Sequence, residues 1–435
     1  MRRPVSRAGC GKLPMKDALK VQKETGMKNN SSSNKQRVAA EVELREQTPL
    51  EKSNSAAKKR NVGKAVQEFG EQKLLAMAAT GSGGSGKLTI GLDLGDRSSC
   101  WCALGAEGEI MARGQVISEP EPLARFFRQI PASLVALEVG SHSPWISQLL
   151  EKQGHEVVVA NARRIKLISE SSRKNDEVDA ELLARLARAD RQLLSPVKHR
   201  GVEAQADLMG VRVRAQLVEL RTQTVNAARG LVKPFGQRLR SCDADSLGQA
   251  DAGHLEAAIR GHVERLLGVV EELTKQIAAC DKELERIASD RYAQETAQLR
   301  QVPGVGPITA LTFVLTLDDP ARFAKSRDVG AFLGLRPKSR QSGASEPEMR
   351  ISKEGDGYLR TLLVQGAQYI LSRRAPDTDL KRWGLGIAAK GKKKAKKRAV
   401  VAVARKLAVL LHRLWVSGEV YERLRPGKLK AAVAA

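Results

Sequence analysis

The 435-residue sequence predicts an α/β domain followed by a mainly helical, all-α region. Between residues 87 and 200, short runs of alternating or continuous apolar residues predict strands interspersed with helices. In residues 201–295 the apolar residues recur at coiled-coil spacing, and residues 296–435 continue as helical sequence interrupted by a Gly-rich turn and a polar loop. Residues 1–86 are rich in Lys, Ser, Asn, Gln and Ala and predict a basic, disordered extension.

The extension runs into GSGGSGK (residues 81–87), which has the glycines of a phosphate-binding loop. Leu88 stands where such a loop needs Ser or Thr, and the residues that follow predict a strand rather than a helix. We therefore interpret this segment as a flexible linker.

The first predicted strand places a carboxylate on the face opposite its apolar side chains. In LTIGLDLGD, residues 88–96, Leu, Ile and Leu alternate with Thr, Gly and Asp93, which is the period of a strand. A second strand, SLVALEVG, ends with Glu138 before a Gly-Ser break. Further strands are predicted for WCAL (101–104), EIMARG (109–114) and EVVVA (156–160).

Two more carboxylates fall on a predicted helix that begins near Asn175. Asp176 and Asp179 are three residues apart and share one side of that helix, with Cβ atoms about 5 to 6 Å apart. Four carboxylates from two strands and a helix repel one another unless divalent cations bind between them. Mg²⁺ or Mn²⁺ accepts such oxygen ligands and would polarise a phosphodiester. The order of a strand Asp, a strand Glu and a helical DxxD predicts an RNase H-like, metal-dependent nuclease domain, although each carboxylate alone could be a solvated surface charge.

Residues 201–295 contain a heptad pattern typical of a coiled coil. Its a and d positions are Val263, Leu266, Val270, Leu273, Ile277, Cys280, Leu284 and Ile287. This seam can pair with the helix predicted around residues 203–231 of the same chain or with a second subunit, and the pattern does not distinguish the two.

The third region begins with a Gly-rich turn, and a serine-bearing loop follows. QVPGVGPITALTFVLTL (301–317) predicts a helix-hairpin-helix element in which Gly304 and Gly306 expose backbone N–H groups to a phosphate; a simple interhelical turn is the alternative. Ser342 lies in a loop free of long apolar residues, where cations would favour a serine nucleophile, although loop serines are common. The cations that flank it are Lys338, Arg340, Arg350 and Lys353.

Charge points to a polyanionic partner. The net charge is +25, and residues 381–430 contain sixteen Lys or Arg against two Glu. A solvated basic face is the alternative, but so uneven a segment beside an apolar helix favours contact with phosphate backbones. Aromatic residues make up only 3% of the chain, so the composition does not indicate base-stacking platforms. The cluster expected to bind nucleic acid is Lys392, Lys393, Lys394, Lys396, Lys397 and Arg398.

Other classes of protein are not supported by the sequence. The most apolar stretch, residues 399–416, is interrupted by four basic or His residues, and no signal-peptide core follows the basic N-terminus. We therefore expect a cytoplasmic protein with no membrane partner. The five cysteines lack CxxC spacing and the six histidines are scattered, so neither a zinc site nor a disulfide framework is predicted.

Six motifs in order, GLDLGD, ALEVGS, NDEVDA, VPGVG, GLRPKSRQSG and RISKEGDGYLRTLL, resemble the insertion sequence family 110 transposases, to which the Piv DNA invertases are related. The resemblance covers roughly residues 87–425 and leaves the basic extension outside it. It implies a RuvC-like domain and a C-terminal transposase domain whose nucleophilic serine corresponds to Ser342. The DEDD tetrad that it implies consists of Asp93, Glu138, Asp176 and Asp179.

The resemblance also implies a reaction and its partners. We expect recombination of double-stranded DNA, the element ends and the target, under the direction of a structured noncoding RNA, in the bacterial cytoplasm at the nucleoid. The metal-bound tetrad would position a phosphate that Ser342 attacks, forming a phosphoseryl bond that is later rejoined to the partner DNA. Ser342 lies about 160 residues beyond the tetrad, so the resemblance implies a composite site, within one chain or across a dimer or tetramer.

Two other functions fit fewer of the motifs. A RuvC-like hydrolytic DNA nuclease needs only the tetrad, with water as the nucleophile, and a site-specific DNA invertase is a related alternative. A non-enzymatic nucleic-acid binder needs only the charge and would be indifferent to Asp93→Ala. The recombinase is the preferred hypothesis because it uses both the tetrad and Ser342.

Overall fold

A computed structural model of the chain describes residues 88–161, 176–338, 349–391 and 393–424, without the side chain of Lys393. The chain divides into two compact units, the first ending at Lys198 and the second beginning at His199. The predicted extension and linker lie outside the described residues. None of the helices within the described ranges combines the length and the apolar character that a bilayer span requires.

The first unit contains a five-stranded mixed sheet with helices. Its elements are β1 (Thr89–Asp93), β2 (Ser98–Leu104), β3 (Ile110–Ile117), α1 (Pro120–Arg128), β4 (Leu134–Glu138), α2 (Ser143–Lys152), β5 (Glu156–Ala160) and α3 (Asp176–Ala189). The strand order is β3-β2-β1-β4-β5, with the first two pairings antiparallel and the last two parallel. This is the RNase H-like order that the sequence predicts.

The alternation in β1 separates two apolar cores on opposite faces of the sheet. Ile90 and Leu92 pack with Phe127 of α1 and Ile146 of α2 on one face. Helix α3 packs against the other face of the central strands. Its buried residues are Ala180, Leu183, Ala184 and Ala187. Asp93 therefore lies on the α3 side of the sheet, opposite the larger core, as the alternation predicts.

The second unit is mainly helical. Its helices are α4 (Val202–Leu231), α5 (Ala257–Arg291), α6 (Ala293–Arg300), α7 (Pro307–Leu317), α8 (Arg327–Phe332), α9 (Gly357–Ile370), α10 (Asp379–Ala389) and α11 (Lys393–Ser417). Helix α7 is its central element, since residues 309–317 are all buried. Side chains of α7, α9 and α11 share the largest core of this unit.

Helices α4 and α5 form an antiparallel hairpin within the chain. Arg291 Nη1 donates to Glu203 Oε1 at 2.9 Å, and Arg221 Nη1 donates to Thr274 Oγ1 at 3.2 Å. As the residue number rises along α4, the partner's number falls along α5, which is the antiparallel arrangement. The intramolecular pairing that the heptad pattern left open is therefore present, while pairing with a second subunit stays a prediction.

The predicted heptad seam faces the interior of the hairpin only in part. Its buried members are Val263, Val270, Ile277, Leu284 and Ile287. Leu266, Leu273 and Cys280 are half-buried, and Leu267 is fully buried beside Leu266. The buried side of α5 also includes Leu267 and Ala288, so it is broader than the two heptad positions.

Candidate active site

The ends of β1 and β4 bring two predicted metal ligands to one edge of the sheet. The strands are parallel neighbours, with Leu92 opposite Leu137. Asp93 and Glu138 are the next residues, and each is the last residue of its strand. Because successive side chains alternate between faces, both carboxylates extend from the face that α3 covers.

Helix α3 adds the other two carboxylates, and Gly91 lets it approach. Asp176 begins the helix and Asp179 follows within its first turn. A Cβ on Gly91 would lie 1.9 Å from the carbonyl oxygen of Ala180 and 2.6 Å from the amide nitrogen of Ala184. The backbone of α3 thus rests directly on β1, two residues before Asp93. Gly91 therefore helps to position α3 and its two aspartates beside Asp93. The sequence analysis did not identify this role, although a glycine within a buried strand, two residues before Asp93, indicates a close backbone approach.

We predict that Gly91→Ala weakens Mn²⁺ binding at least tenfold. The added methyl group meets backbone atoms of α3, so the helix itself must move and carry Asp176 and Asp179 away from Asp93. Isothermal titration with Mn²⁺ measures the effect. Gly140→Ala is the matched control, because a Cβ there has nothing within 4 Å. Unchanged Mn²⁺ affinity in Gly91→Ala would contradict this role.

The four carboxylates share one electrostatic environment. The pKa of Asp93 is raised from 3.8 to about 6, mainly by burial and then by the negative charges of Asp176, Asp179 and Glu138. The backbone N–H of Leu94 opposes this shift by donating to the carboxylate. Three separate elements therefore concentrate negative charge around one partly buried carboxyl group.

The donor set suits a hard divalent cation. All four groups supply carboxylate oxygen, the ligand type preferred by Mg²⁺ and Mn²⁺, and a cation would relieve the repulsion that raises the pKa of Asp93. Within the described ranges, no three His, Cys, Asp or Glu side chains form a group close enough to hold a metal ion. The residues therefore fit the metal in chemistry and electrostatics, and the carboxylates would need to draw closer to ligate it.

Cys100 borders this carboxylate cluster. It lies opposite Asp93 in the antiparallel β1–β2 pair and is buried. Burial, followed by the charges of Asp176 and Asp93, raises the pKa of its thiol to about 11. The thiol is therefore protonated at neutral pH and is not a competing nucleophile.

The chain on both sides of the segment that carries Ser342 is described in the second unit. Ser342 and Arg340 lie in residues 339–348, outside the described residues. On either side, Lys338 N donates to Arg350 O at 2.9 Å, and Pro337 and Ile351 form a short antiparallel bridge. The predicted cations that the structure describes here, Lys338, Arg350 and Lys353, are all exposed.

Arg360 links the chain before this segment to the chain after it. Its Nη1 donates to Leu333 O and to Glu354 O, each at 2.9 Å. The next turn is tight, because Gly355 has φ +73° and a Cβ there would lie 2.0 Å from Phe332 O. One guanidinium on α9 therefore holds together the chain before the Ser342 segment and the chain after it.

The predicted helix-hairpin-helix turn packs closely against α9. Gly304 has φ +85°, and a Cβ there would lie 2.8 Å from Gly366 O on α9. A Cβ on Gly366 would likewise lie 2.7 Å from Gly304 O. Gly306 precedes Pro307 of α7 and has open space around its Cβ position. Phosphate binding by this turn stays a prediction.

The basic cluster lies at the start of α11. Lys394, Lys396, Lys397 and Arg398 are exposed there, while the intervening Ala395 is buried. Lys392 lies outside the described residues, and Lys393 begins the helix. These four described side chains therefore face solvent, as contact with nucleic acid requires, and that contact stays a prediction.

Comparison with known proteins gives consistent matches in both units. Residues 296–381 match the model of the family described as "Transposase IS116/IS110/IS902 family", and residues 90–235 match the IS110 DEDD model described as "Transposase". The chain is 30% identical to a "Probable family 20 transposase" of Pseudomonas aeruginosa, over 78% of this chain and 98% of the relative. It is 32% identical to the "Transposase for insertion sequence element IS1111A" of Coxiella burnetii, over 58% of this chain and 69% of the relative.

Proposed function

The chain belongs to the IS116/IS110/IS902 transposase family, whose activity is DNA transposition, and we propose that it recombines DNA through a metal-binding carboxylate tetrad and a serine nucleophile. The observation that carries the proposal is that Glu138 and the α3 aspartates lie near enough to Asp93 for their charges to raise its pKa, at one end of the sheet. An acidic cluster of this kind suits phosphodiester chemistry only with cations bound to it.

The carboxylates have distinct tasks in this proposal. Asp93 and Glu138 extend from neighbouring strands and form the fixed side of the site, whereas Asp176 and Asp179 depend on the seating of α3. A bound Mg²⁺ or Mn²⁺ would supply the positive charge that polarises the scissile phosphate. A bound cation would oppose protonation of Asp93 and so would keep it ionised to a pH below its raised pKa of about 6.

Ser342 supplies the nucleophile. Its Oγ forms a bond to phosphorus as the bond from phosphorus to the leaving deoxyribose oxygen breaks, the seryl proton passes to solvent, and the leaving oxygen gains a proton. A 5′ or 3′ phosphoseryl linkage results, with the same number of phosphoester bonds as before. A hydroxyl of the partner DNA then attacks this linkage, reverses the exchange and frees the serine.

The partners in this proposal follow from the charge and the chemistry. The element ends and the target are double-stranded DNA, contacted by the basic cluster of α11, by the turn containing Gly304 and Gly306, and by the cations around Ser342. In this proposal a structured noncoding RNA selects the DNA, as the family resemblance implies. The working form is a dimer or tetramer in the bacterial cytoplasm.

Capture of a protein–DNA adduct tests the proposal. The purified full chain is incubated with RNA transcribed from the noncoding DNA flanking its gene, labelled donor and target duplexes, and Mg²⁺, and is then analysed on a denaturing gel. We expect labelled DNA that migrates with the protein. Cleaved DNA without an adduct would instead assign a hydrolytic RuvC-like nuclease, which uses the same carboxylates with water as the nucleophile.

We predict that Arg360→Ala lowers the yield of adduct about tenfold and leaves duplex binding within twofold of wild type. Without the guanidinium, Leu333 O and Glu354 O lose their shared donor. The chain on the two sides of the Ser342 segment is then held together less firmly, and the serine is positioned less well. Gel quantification and fluorescence anisotropy measure the two effects. Arg360→Lys keeps the charge and should recover part of the yield; wild-type yield in Arg360→Ala would exclude this positioning role.

A further inference from the structure

The second unit contains a cleft beside the turn at residues 303–306. Its volume is about 640 Å³, within the range of ligand-binding pockets. The turn and helix α9 form its floor, where Gly304 and Gly366 approach backbone to backbone without intervening side chains. The two glycines thus allow the turn and α9 to pack backbone against backbone beside the cleft.

The lining of the cleft favours an anion. Arg300 at the end of α6 and Arg423 after α11 both line it, and no Asp or Glu is among the lining residues that the structure describes. Arg300 Nη1 forms a long ion pair with Glu285 Oε1 at 3.9 Å, a distance too great for a hydrogen bond, so its guanidinium keeps donors for a further anion. The segment of Arg423 is fixed by its backbone oxygen, which accepts from Asp379 N at 3.0 Å. Two arginines and no acidic residue therefore line one space within the described residues.

An aromatic ring completes the site. Tyr369 on α9 lines the cleft and is 45% exposed, in a protein with only four Tyr and four Trp. Its ring packs beside the position that a Cβ of Gly304 would occupy, with Cδ1 3.3 Å from it. Gln365, one turn before Tyr369, adds an amide that can donate and accept hydrogen bonds. Arginines, a stacking ring and an amide are the groups with which proteins hold an unpaired nucleotide.

We propose that this cleft binds one unpaired nucleotide of a nucleic acid strand, with its phosphate on Arg300 and Arg423 and its base stacked on Tyr369. A paired base is excluded, because both of its faces are covered by neighbouring base pairs. The proposal extends the nucleic-acid binding of the proposed function and is independent of its chemistry. The cleft would take such a nucleotide from DNA strands opened during exchange or from a loop of a folded RNA.

Binding of fluorescein-labelled octathymidylate, octauridylate and a blunt DNA duplex to the full chain, measured by fluorescence anisotropy, tests the proposal. We expect Tyr369→Ala to weaken binding of at least one single strand about tenfold and duplex binding less than twofold. Tyr369→Phe should bind like wild type, since it keeps the ring. Arg423→Ala should reduce the slope of log K against log salt by about 0.7, as expected for one lost phosphate contact on a single strand.

Matched controls separate the cleft from general effects. Trp383→Ala removes an aromatic ring that lies over Lys406 elsewhere in the unit, and Arg413→Ala removes an arginine that pairs with Glu419. Neither should change single-strand affinity more than twofold. Wild-type affinity in Tyr369→Ala and Arg423→Ala, or equal losses in the controls, would overturn the proposal. The titrations with octathymidylate and octauridylate show whether DNA or RNA is bound. The single-strand affinities do not depend on the serine adduct, so failure to detect the adduct would leave them unaffected.

Discussion

Asp93→Asn is expected to abolish DNA transposition and to stabilise the metal-free protein. The substitution keeps the size of the side chain and removes one of the four carboxylates that hold the cation. It also removes a charge that is partly buried and repelled by Asp176, Asp179 and Glu138. The melting temperature in EDTA at pH 7.5 should therefore rise by a few degrees, corresponding to about 1 kcal/mol once solvent screening is included.

The stabilisation should depend on pH in a defined direction. The folded-state pKa of Asp93, about 6, lies above its ordinary value of 3.8, so between these values the folded state binds more protons than the unfolded state. The free energy of unfolding then falls as the pH rises from about 4 to 6, and above pH 6 the ionised Asp93 destabilises the folded state to its full extent. The advantage of Asp93→Asn should accordingly be largest at pH 7.5 and vanish near pH 4, as followed by thermal unfolding in EDTA.

Asp96→Asn provides the control for these measurements. Its side chain is 95% exposed and contacts only His142 among the described residues, at 3.4 Å. This variant should melt like wild type in EDTA and should retain transposition. Mg²⁺ should raise the melting temperature of wild type and of this control but not that of Asp93→Asn. Transposition by Asp93→Asn, or equal melting of that variant and wild type at pH 7.5, would refute the assignment of Asp93.

Ser342→Ala is expected to eliminate the protein–DNA adduct and strand exchange while leaving DNA affinity within twofold of wild type. Alanine removes the only atom that bonds to phosphorus in the proposed step and changes no charge. The loss should be complete within detection, because no other group in the proposal can form the covalent linkage. The adduct gel and an anisotropy titration with duplex DNA measure the two quantities.

The same loop offers two matched controls for Ser342. Ser339 and Ser345 lie three residues before and three residues after it, and their replacement with alanine makes the identical chemical change. Both control variants should form the adduct at wild-type yield. An adduct formed by Ser342→Ala would remove that residue from the mechanism, and loss of the adduct only in Ser339→Ala or Ser345→Ala would move the nucleophile to that position.

The sequence was sufficient for the elements that carry the carboxylates. The alternation around Asp93, the apolar run before Glu138 and the DxxD spacing on α3 each depend on residues close together in the chain, and local patterns report such features well. The mixed sheet followed by helices is confirmed, as is membership of the transposase family. The roles of Ser342 and of the tetrad as catalytic groups stay predictions.

Contacts between distant residues were beyond the sequence patterns. Gly91 meets the backbone of Ala180 across 89 positions, and Gly304 meets Gly366 across 62, so no local periodicity can report either approach. The α5 seam was predicted in part, since five of its eight positions are buried. Leu266 is only half-buried, whereas Leu267, which lies outside the heptad pattern, is fully buried. The cleft beside Tyr369 likewise exists only once α6, α9 and the residues after α11 are assembled.

The antiparallel register of α4 and α5 restricts how this protein can change in length during evolution. Arg214 Nε donates to Asp281 Oδ1 at 2.8 Å between the two pairs already described, so three contacts along the hairpin fix its register. A single-residue insertion in one helix would rotate all later side chains by about 100° and shift them by about 1.5 Å. Relatives with longer or shorter hairpins should therefore differ by paired insertions or deletions, near three to four or seven residues in each helix.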